Sequence, residues 1–187
     1  MTKIETLLLS SQTVFSVADL SLYWNEPDRK KLWESIKYYL RIGKLQKLRS
    51  GMYSLRDGYE ELELAVKLFS PAYISFHTAL GIHGISFQQY GAVHVVGSLS
   101  KKIVVRDTEF ICHQVKDAVL FASMGVLQER QYSIASSERA VCDSLYLSPK
   151  MTFDRIENLN SEKLLATATI YENKSLISRV QLLLAGG

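Results

Sequence analysis

At 187 residues, with 47% hydrophobic and 22% charged side chains, the chain is long enough for one domain or two small ones and is not a disordered sequence. No apolar run approaches the roughly 20 residues of a membrane helix, and the start MTKIETLLLSSQ, with Glu5 and no small-residue cleavage site, does not read as a signal peptide, so a cytoplasmic protein is expected. The net charge of +3 conceals a division: residues 28–56 carry nine Lys/Arg against two acids, whereas residues 1–27 and 57–187 are each net −2.

Taken in order, residues 3–10 read as a short helix with Ile4, Leu7 and Leu8 inward. Ser16 is placed to cap a second helix, VADLSLYWN, with Val17, Leu20 and Trp24 on one side. Asn25-Glu26-Pro27 breaks the chain, and Asp28 suits the positive end of a third helix running to about Ile42, with Gly43 as the residue past its end. On a helical wheel Leu32, Trp33, Ile36, Tyr39 and Leu40 share one arc, and the outward side holds Lys30, Lys31, Glu34, Lys37, Tyr38 and Arg41. Four cations stand against one acid on that outward side, where solubility alone would favour mixed signs. KLQKLRSGMYSLR then predicts a two-stranded hairpin, with Gly51 supplying the positive φ of its turn and Lys47 and Arg49 near its tip. Three helices and a hairpin in some 55 residues predict a winged helix-turn-helix over residues 1–57, closed by a turn at Asp57-Gly58.

The remainder, residues 58–187, predicts a mixed helix and strand domain with a helical tail, so the fold class is α+β. Residues 59–69 read as a helix ended by Ser70-Pro71, and 73–85 (YISFHTALGIHGI) as a buried helix. Residues 93–97, 103–106 and 109–115 read as strands, with Lys101-Lys102 in the turn between the first two. A further strand near 132–134 leads to a helix capped by Ser136, with Ala140, Val141, Leu145 and Tyr146 inward and Pro149 as its stop. The last helix, about 174–185, has an apolar face of Leu176, Ile177, Val180 and Leu183/Leu184.

No residue set assembles a catalytic constellation, and a non-enzymatic protein without cofactor or metal is expected. His77 and His83, six apart, fall on different helix faces, and with His94, His113, Cys112 and Cys142 they match no zinc spacing. The two cysteines are too few for a disulfide framework and read as buried thiols. Asp107-x-Glu109 at a strand start resembles the acids of metal-dependent nucleases, but Phe110, Ile111 and Cys112 stand where the strand lysine belongs. The chemistry the sequence does carry is nucleic-acid binding. Arg29, Lys30, Lys31, Ser35, Lys37, Tyr38 and Arg41 of the third helix are candidate base or phosphate contacts, and Lys44, Lys47, Arg49 and Ser50 belong to the hairpin that reaches the adjacent groove or backbone.

The order of three segments resembles the AbiEi-type antitoxins of bacterial type IV toxin–antitoxin systems. They are Arg49-Ser50-Gly51-Met52-Tyr53-Ser54-Leu55, the run from Tyr73 to Ile85, and Ile134-Ala135-Ser136-Ser137-Glu138-Arg139-Ala140-Val141-Cys142-Asp143, where Ser137 replaces the family's usual proline. The resemblance covers most of residues 12–147. It implies an N-terminal domain that binds inverted repeats in its own promoter as an autorepressor, two copies meeting on the DNA. It implies a C-terminal domain (58–187) that counters a nucleotidyltransferase-like toxin without a stable complex, in the setting of phage defence. The alternative left open by the residues is a plain winged-helix repressor whose C-terminal domain senses a ligand or dimerises.

Overall fold

A computed structural model describes residues 2–55, 58–87 and 91–186 and divides the chain into two compact units, Met1–Leu64 and Ala65–Gly187. The sequence reading places its boundary at 57/58; Arg56 and Asp57, and so the turn expected at Asp57-Gly58, lie outside the described residues.

The first unit is built from local signals that each satisfy a helix or strand end. Helix α1 (Lys3–Leu8) starts at a capping box: Thr2 Oγ1 accepts from the Glu5 N–H at 3.2 Å and Glu5 Oε2 from the Thr2 N–H at 2.7 Å. A three-residue strand, β1 (Val14–Ser16), runs directly into α2 (Val17–Tyr23). Ser16 ends the one and caps the other: its Oγ accepts from the Asp19 N–H at 3.0 Å while Asp19 Oδ2 accepts from the Ser16 N–H at 2.8 Å. Helix α3 (Arg29–Arg41) is capped by Asp28, whose Oδ1 accepts from the Lys30 and Lys31 N–H groups at 2.8 and 3.1 Å. It ends in a Schellman turn, with Gly43 at φ +69°, its N–H on the Leu40 carbonyl at 3.2 Å and the Lys44 N–H on the Tyr39 carbonyl at 2.9 Å. Strands β2 (Leu45–Arg49) and β3 (Met52–Leu55) form the expected hairpin, with Gly51 at φ +77° and a register shift between Lys47 and Arg49.

β1 pairs antiparallel with the other edge of β3, giving the order β1-β3-β2. This third strand was not legible in the sequence: three residues are too few to show a period, and Val14 and Phe15 become strand by pairing with Ser54 and Tyr53. The three helices and the sheet enclose Leu7, Phe15, Leu20, Trp24, Leu32, Ile36, Leu45 and Tyr53. Of the arc expected to face inward on α3, Leu32 and Ile36 are buried, and Trp33, Tyr39 and Leu40 pack against that core half-buried. Helix α4 (Glu61–Phe69) contains the division between the units. Within the first unit its Glu63 Oε2 accepts from the Thr13 N–H at 2.8 Å and the Thr13 hydroxyl at 2.7 Å.

After the end of α4 the second unit continues with strand β4 (Ala72–Ile74) and helix α5 (Phe76–Ile82). A single helix over 73–85 was expected, and the structure corrects this. Tyr73 and Ile74 are strand because Tyr73 pairs with Val96 and Ile74 lies between Val95 and Ile134. An apolar run of this kind does not distinguish buried strand from buried helix. The sheet continues with β5 (Ala92–Gly97), β6 (Lys101–Val105) and β7 (Thr108–Gln114); after a four-residue helix α6 (Asp117–Leu120) come β8 (Val126–Gln128) and β9 (Ser133–Ala135). The six strands lie in the order β6-β7-β5-β4-β9-β8, with parallel pairs β5/β7 and β4/β9 and the other neighbours antiparallel. Lys101 and Lys102, expected in a turn, are the first residues of β6, and β8 and α6 were not anticipated. Gly97 permits a close approach: a Cβ there would sit 2.6 Å from Cys112 Sγ. Helices α7 (Ser137–Leu147), α8 (Ser161–Thr169) and α9 (Lys174–Ala185) complete the unit, α5 packing on β5 and α7 against α5, α8 and α9. The fold is thus mixed α+β. Among the described residues no helix is long and apolar enough to cross a membrane.

Candidate nucleic-acid interface

Helix α3 and the β2–β3 hairpin carry the sequence's candidate residues, and the way they fold decides which of them face outward. Because Leu32 and Ile36 bury the inner side of α3, the helix must turn its opposite side to solvent, and Lys30, Lys31, Lys37, Tyr38 and Arg41 are all exposed there, while Arg29 is exposed at the helix's first turn, on the side of Ile36. In the hairpin, alternation does the same. Leu45 is buried and Gln46 and Leu48 half-buried, whereas Lys47, Arg49 and Ser50 are exposed, as is Lys44 just before the strand. The register shift after Lys47 sets Arg49 opposite Met52 at the tip, and the Cβ position of Gly51 meets nothing within 4 Å.

Among the described residues, the side chains of Arg29, Lys30, Lys31, Lys37, Lys44, Lys47 and Arg49 make no ion pair or hydrogen bond. Seven cations are therefore held on one small unit without internal counter-ions. Arg41 lies over the Tyr38 ring at 5.6 Å from its centroid, and Tyr38 itself packs edge-on against Tyr39 at 5.1 Å, so the phenol and guanidinium form a stacked pair at the helix's last turn. Ser35 differs from the rest. Its Oγ accepts from Lys3 Nζ at 2.7 Å, and Lys3 also lies over the Trp24 ring at 5.2 Å, so the hydroxyl ties α3 to α1 on the flank of the exposed face. The sequence offered no sign of this tie, since residues 3 and 35 meet only in the folded unit. Glu34, which the helical wheel put on the outward side without a role, is exposed in the middle of the cationic face.

The second unit holds the groups that invited other chemistry. His77, His94 and His113 come together, with His94 Nδ1 and His113 Nε2 sharing a hydrogen bond at 2.9 Å and the His77 ring edge-on to His94 at 5.2 Å. Burial holds His94 down to about 4, with smaller contributions from His113 and His77, and burial also lowers His77 and His113. His83 is elsewhere, its Nε2 donating to the Ala135 carbonyl at 2.7 Å. Among the described residues no group of three or more His, Cys, Asp or Glu is placed to hold a metal ion. Both cysteines are buried, and burial pushes the Cys112 thiol up to about 11 and raises Cys142 further. Glu109 pairs with Lys102 at 2.6 Å, while Asp107 is exposed in the turn before β7.

A buried polar network sits at the centre of this unit. The Arg139 guanidinium, at 0% exposure, donates to Tyr73 Oη through Nε and Nη2 (3.2 and 3.0 Å), to the Met124 carbonyl (2.9 Å) and to the Val119 carbonyl (2.6 Å). Asp143 accepts from the hydroxyls of Tyr73, Ser75 and Tyr171 at 3.1, 2.7 and 2.6 Å and lies 3.7 Å from Arg139 Nε. Burial pushes the Asp143 carboxyl up, and Arg139 and the three hydroxyls oppose it. Beside the start of α7, a cavity of about 420 Å³ is lined by Met124, Leu127, Glu138, Lys163, Ala166 and Thr167 among others. No protein-family model matches the chain, and no curated protein matches it.

Proposed function

We propose that the protein is a non-enzymatic, cytoplasmic DNA-binding regulator that acts as an autorepressor and antitoxin in a toxin–antitoxin operon. Its first unit would work as a winged helix, with α3 entering the major groove and the β2–β3 hairpin lying against the adjacent backbone or minor groove. One observation carries the DNA reading: seven exposed cations, without ion pair or hydrogen bond among the described residues, are held on the first unit, six of them on the outward side of α3 and on the hairpin. A solvated face would mix its signs or pair its charges; this one offers charge to a polyanion. The sheet order β1-β3-β2, with helices before, between and behind its strands, supports the winged-helix arrangement.

The antitoxin part rests on the resemblance to AbiEi-type antitoxins, through the segments around Gly51, Tyr73–Ile85 and Ile134–Asp143. The partners would be duplex DNA carrying inverted repeats in the protein's own promoter and, functionally, a nucleotidyltransferase-like toxin. A second reading, a repressor whose C-terminal unit senses a small molecule, draws on the cavity of about 420 Å³ beside α7, a volume within the range of ligand pockets.

Titrating the promoter duplex across a salt series tests the DNA reading. Neutralising about five phosphates gives a log–log salt slope of roughly −4 to −5, and affinity that barely responds to salt would sink it. Co-expressing the full chain with the product of the neighbouring gene separates the two readings of the second unit: rescue of growth supports the antitoxin, and no rescue favours the repressor.

A further inference from the structure

We propose that Glu34 is a base-reading residue, accepting a hydrogen bond from the exocyclic amino group of a cytosine in the major groove. The inference deepens the DNA-binding reading and rests on it. At about 100° per residue, Leu32 and Ile36, the two buried residues of α3, lie about 160° and 200° from Glu34, so the carboxylate is diametrically opposite the docking face. Lys30, Lys31, Lys37, Tyr38 and Arg41 all fall within about 60° of it, on both sides. When such a helix lies in a groove, its central line points at the base edges and its flanks at the two phosphate walls. Lys30, Lys31 and Lys37, about 40–60° to either side, therefore occupy the phosphate-facing flanks, and the single acid shares the base-facing line only with Arg41, two turns further along at the helix end.

Two further observations separate this role from that of an ordinary surface carboxylate. Lysines stand three and four residues before Glu34 and three after it, the spacings at which helical ion pairs form, yet among the described residues Glu34 is in no ion pair or hydrogen bond. Its carboxylate is not spent on helix stability. On a face that binds phosphate, a negative charge at the centre also weakens binding to every sequence alike. It is compatible with binding only where a donor meets it. An ionised carboxylate only accepts hydrogen bonds; in the major groove guanine O6 and N7 and thymine O4 are acceptors too, and adenine sets its N7 acceptor beside its N6 amino group, so cytosine, which presents a donor alone, is its fitting partner.

The test is selection from a randomised duplex pool with the full chain and with Glu34→Ala and Glu34→Gln, followed by titration of the selected duplexes. The wild-type protein is expected to select a cytosine at one position of each half-site, preferred about tenfold over other bases. Glu34→Ala should lose that preference at that position alone and bind unrelated duplex more tightly. Glu34→Gln should shift it toward adenine, the partner that suits an amide. If the wild-type chain binds duplex but Glu34→Ala selects the same sequences, or the wild type selects none, the role of Glu34 is overturned and DNA binding stands. If the wild-type chain binds duplex no better than a Lys30→Ala/Lys37→Ala/Arg41→Ala variant, both are overturned.

Discussion

Two arginine-bearing regions of this chain put the same side chain to opposite uses. Around α3 the cations are exposed and, among the described residues, without ion pair or hydrogen bond, on a helix whose other side is apolar. In the second unit Arg139 is fully buried and makes four hydrogen bonds, two of them to the tyrosine that in turn donates to Asp143. The first region keeps its charge available to a polyanion and adds little to stability, because solvated charges gain little from the fold. In the second, four of the guanidinium's five N–H groups are bonded within the fold and the charge is enclosed away from any partner. The comparison teaches that charge in a sequence is ambiguous until its surroundings are known: what matters is whether the fold completes the hydrogen bonding or leaves it for a ligand.

The comparison breaks first at Arg139. Arg139→Met removes the guanidinium and strands Asp143 in the interior, and should cost about 3–5 kcal/mol in denaturant unfolding of the full chain. The folded fraction should bind duplex as before. If Arg139→Met is as stable as the parent chain, the network is not what holds the second unit. The reverse experiment is Lys30→Ala/Lys37→Ala/Arg41→Ala, expected to weaken duplex binding about 100-fold and to reduce the salt slope by about 3. Its unfolding midpoint should stay where it was; a large drop would mean that these cations serve the fold after all.

Acid sharpens the contrast further, because the second unit also buries histidines. An unfolded-chain histidine titrates near 6.5, whereas His94 is held down to about 4. Between these values the unfolded chain binds a proton that the folded chain refuses, so stability falls as pH drops through that window. The expected slope is about 1.4 kcal/mol per pH unit for this histidine, and His77 and His113, lowered in the same direction, steepen it. Urea midpoints measured from pH 7 to pH 4 should show this fall, and His94→Phe should flatten it. The smallest effect belongs to Asp28→Ala, which frees the Lys30 and Lys31 N–H groups at the start of α3. It should cost about 1 kcal/mol in unfolding and fray the turn that carries Arg29, Lys30 and Lys31, weakening duplex binding a few-fold.

The parts of the molecule legible without a structure are those governed by neighbours in sequence. Ser16, Asp28, Ser136 and Gly43 act as the caps and terminator their positions suggested, and α9 spans the residues its periodicity marked. The candidate interface was legible for the same reason. A 3.6-residue period sorts α3 into an apolar and a cationic side, and the period-2 alternation of the hairpin turns Lys47 and Arg49 outward.

What only the tertiary structure decided depends on partners far along the chain. Strands β1, β4 and β8 are three residues each and exist because another strand lies beside them; no local period announces so short a segment. Ser35 looked like any candidate contact until Lys3, thirty-two residues away, came to rest on it. Arg139 and Asp143 carry the same charges as surface residues, and their burial follows from Tyr73, Ser75 and Tyr171 converging on them from strand β4, the junction of β4 with α5 and the turn after α8. The sequence by itself determined where charge concentrates and which sides of α3 and α9 are apolar, because these are properties of spacing; on α1 it was too short a guide, and Leu8, expected inward, is exposed. The fold alone determined which charges are enclosed and which are left to meet a partner, because enclosure requires atoms that sequence distance keeps apart.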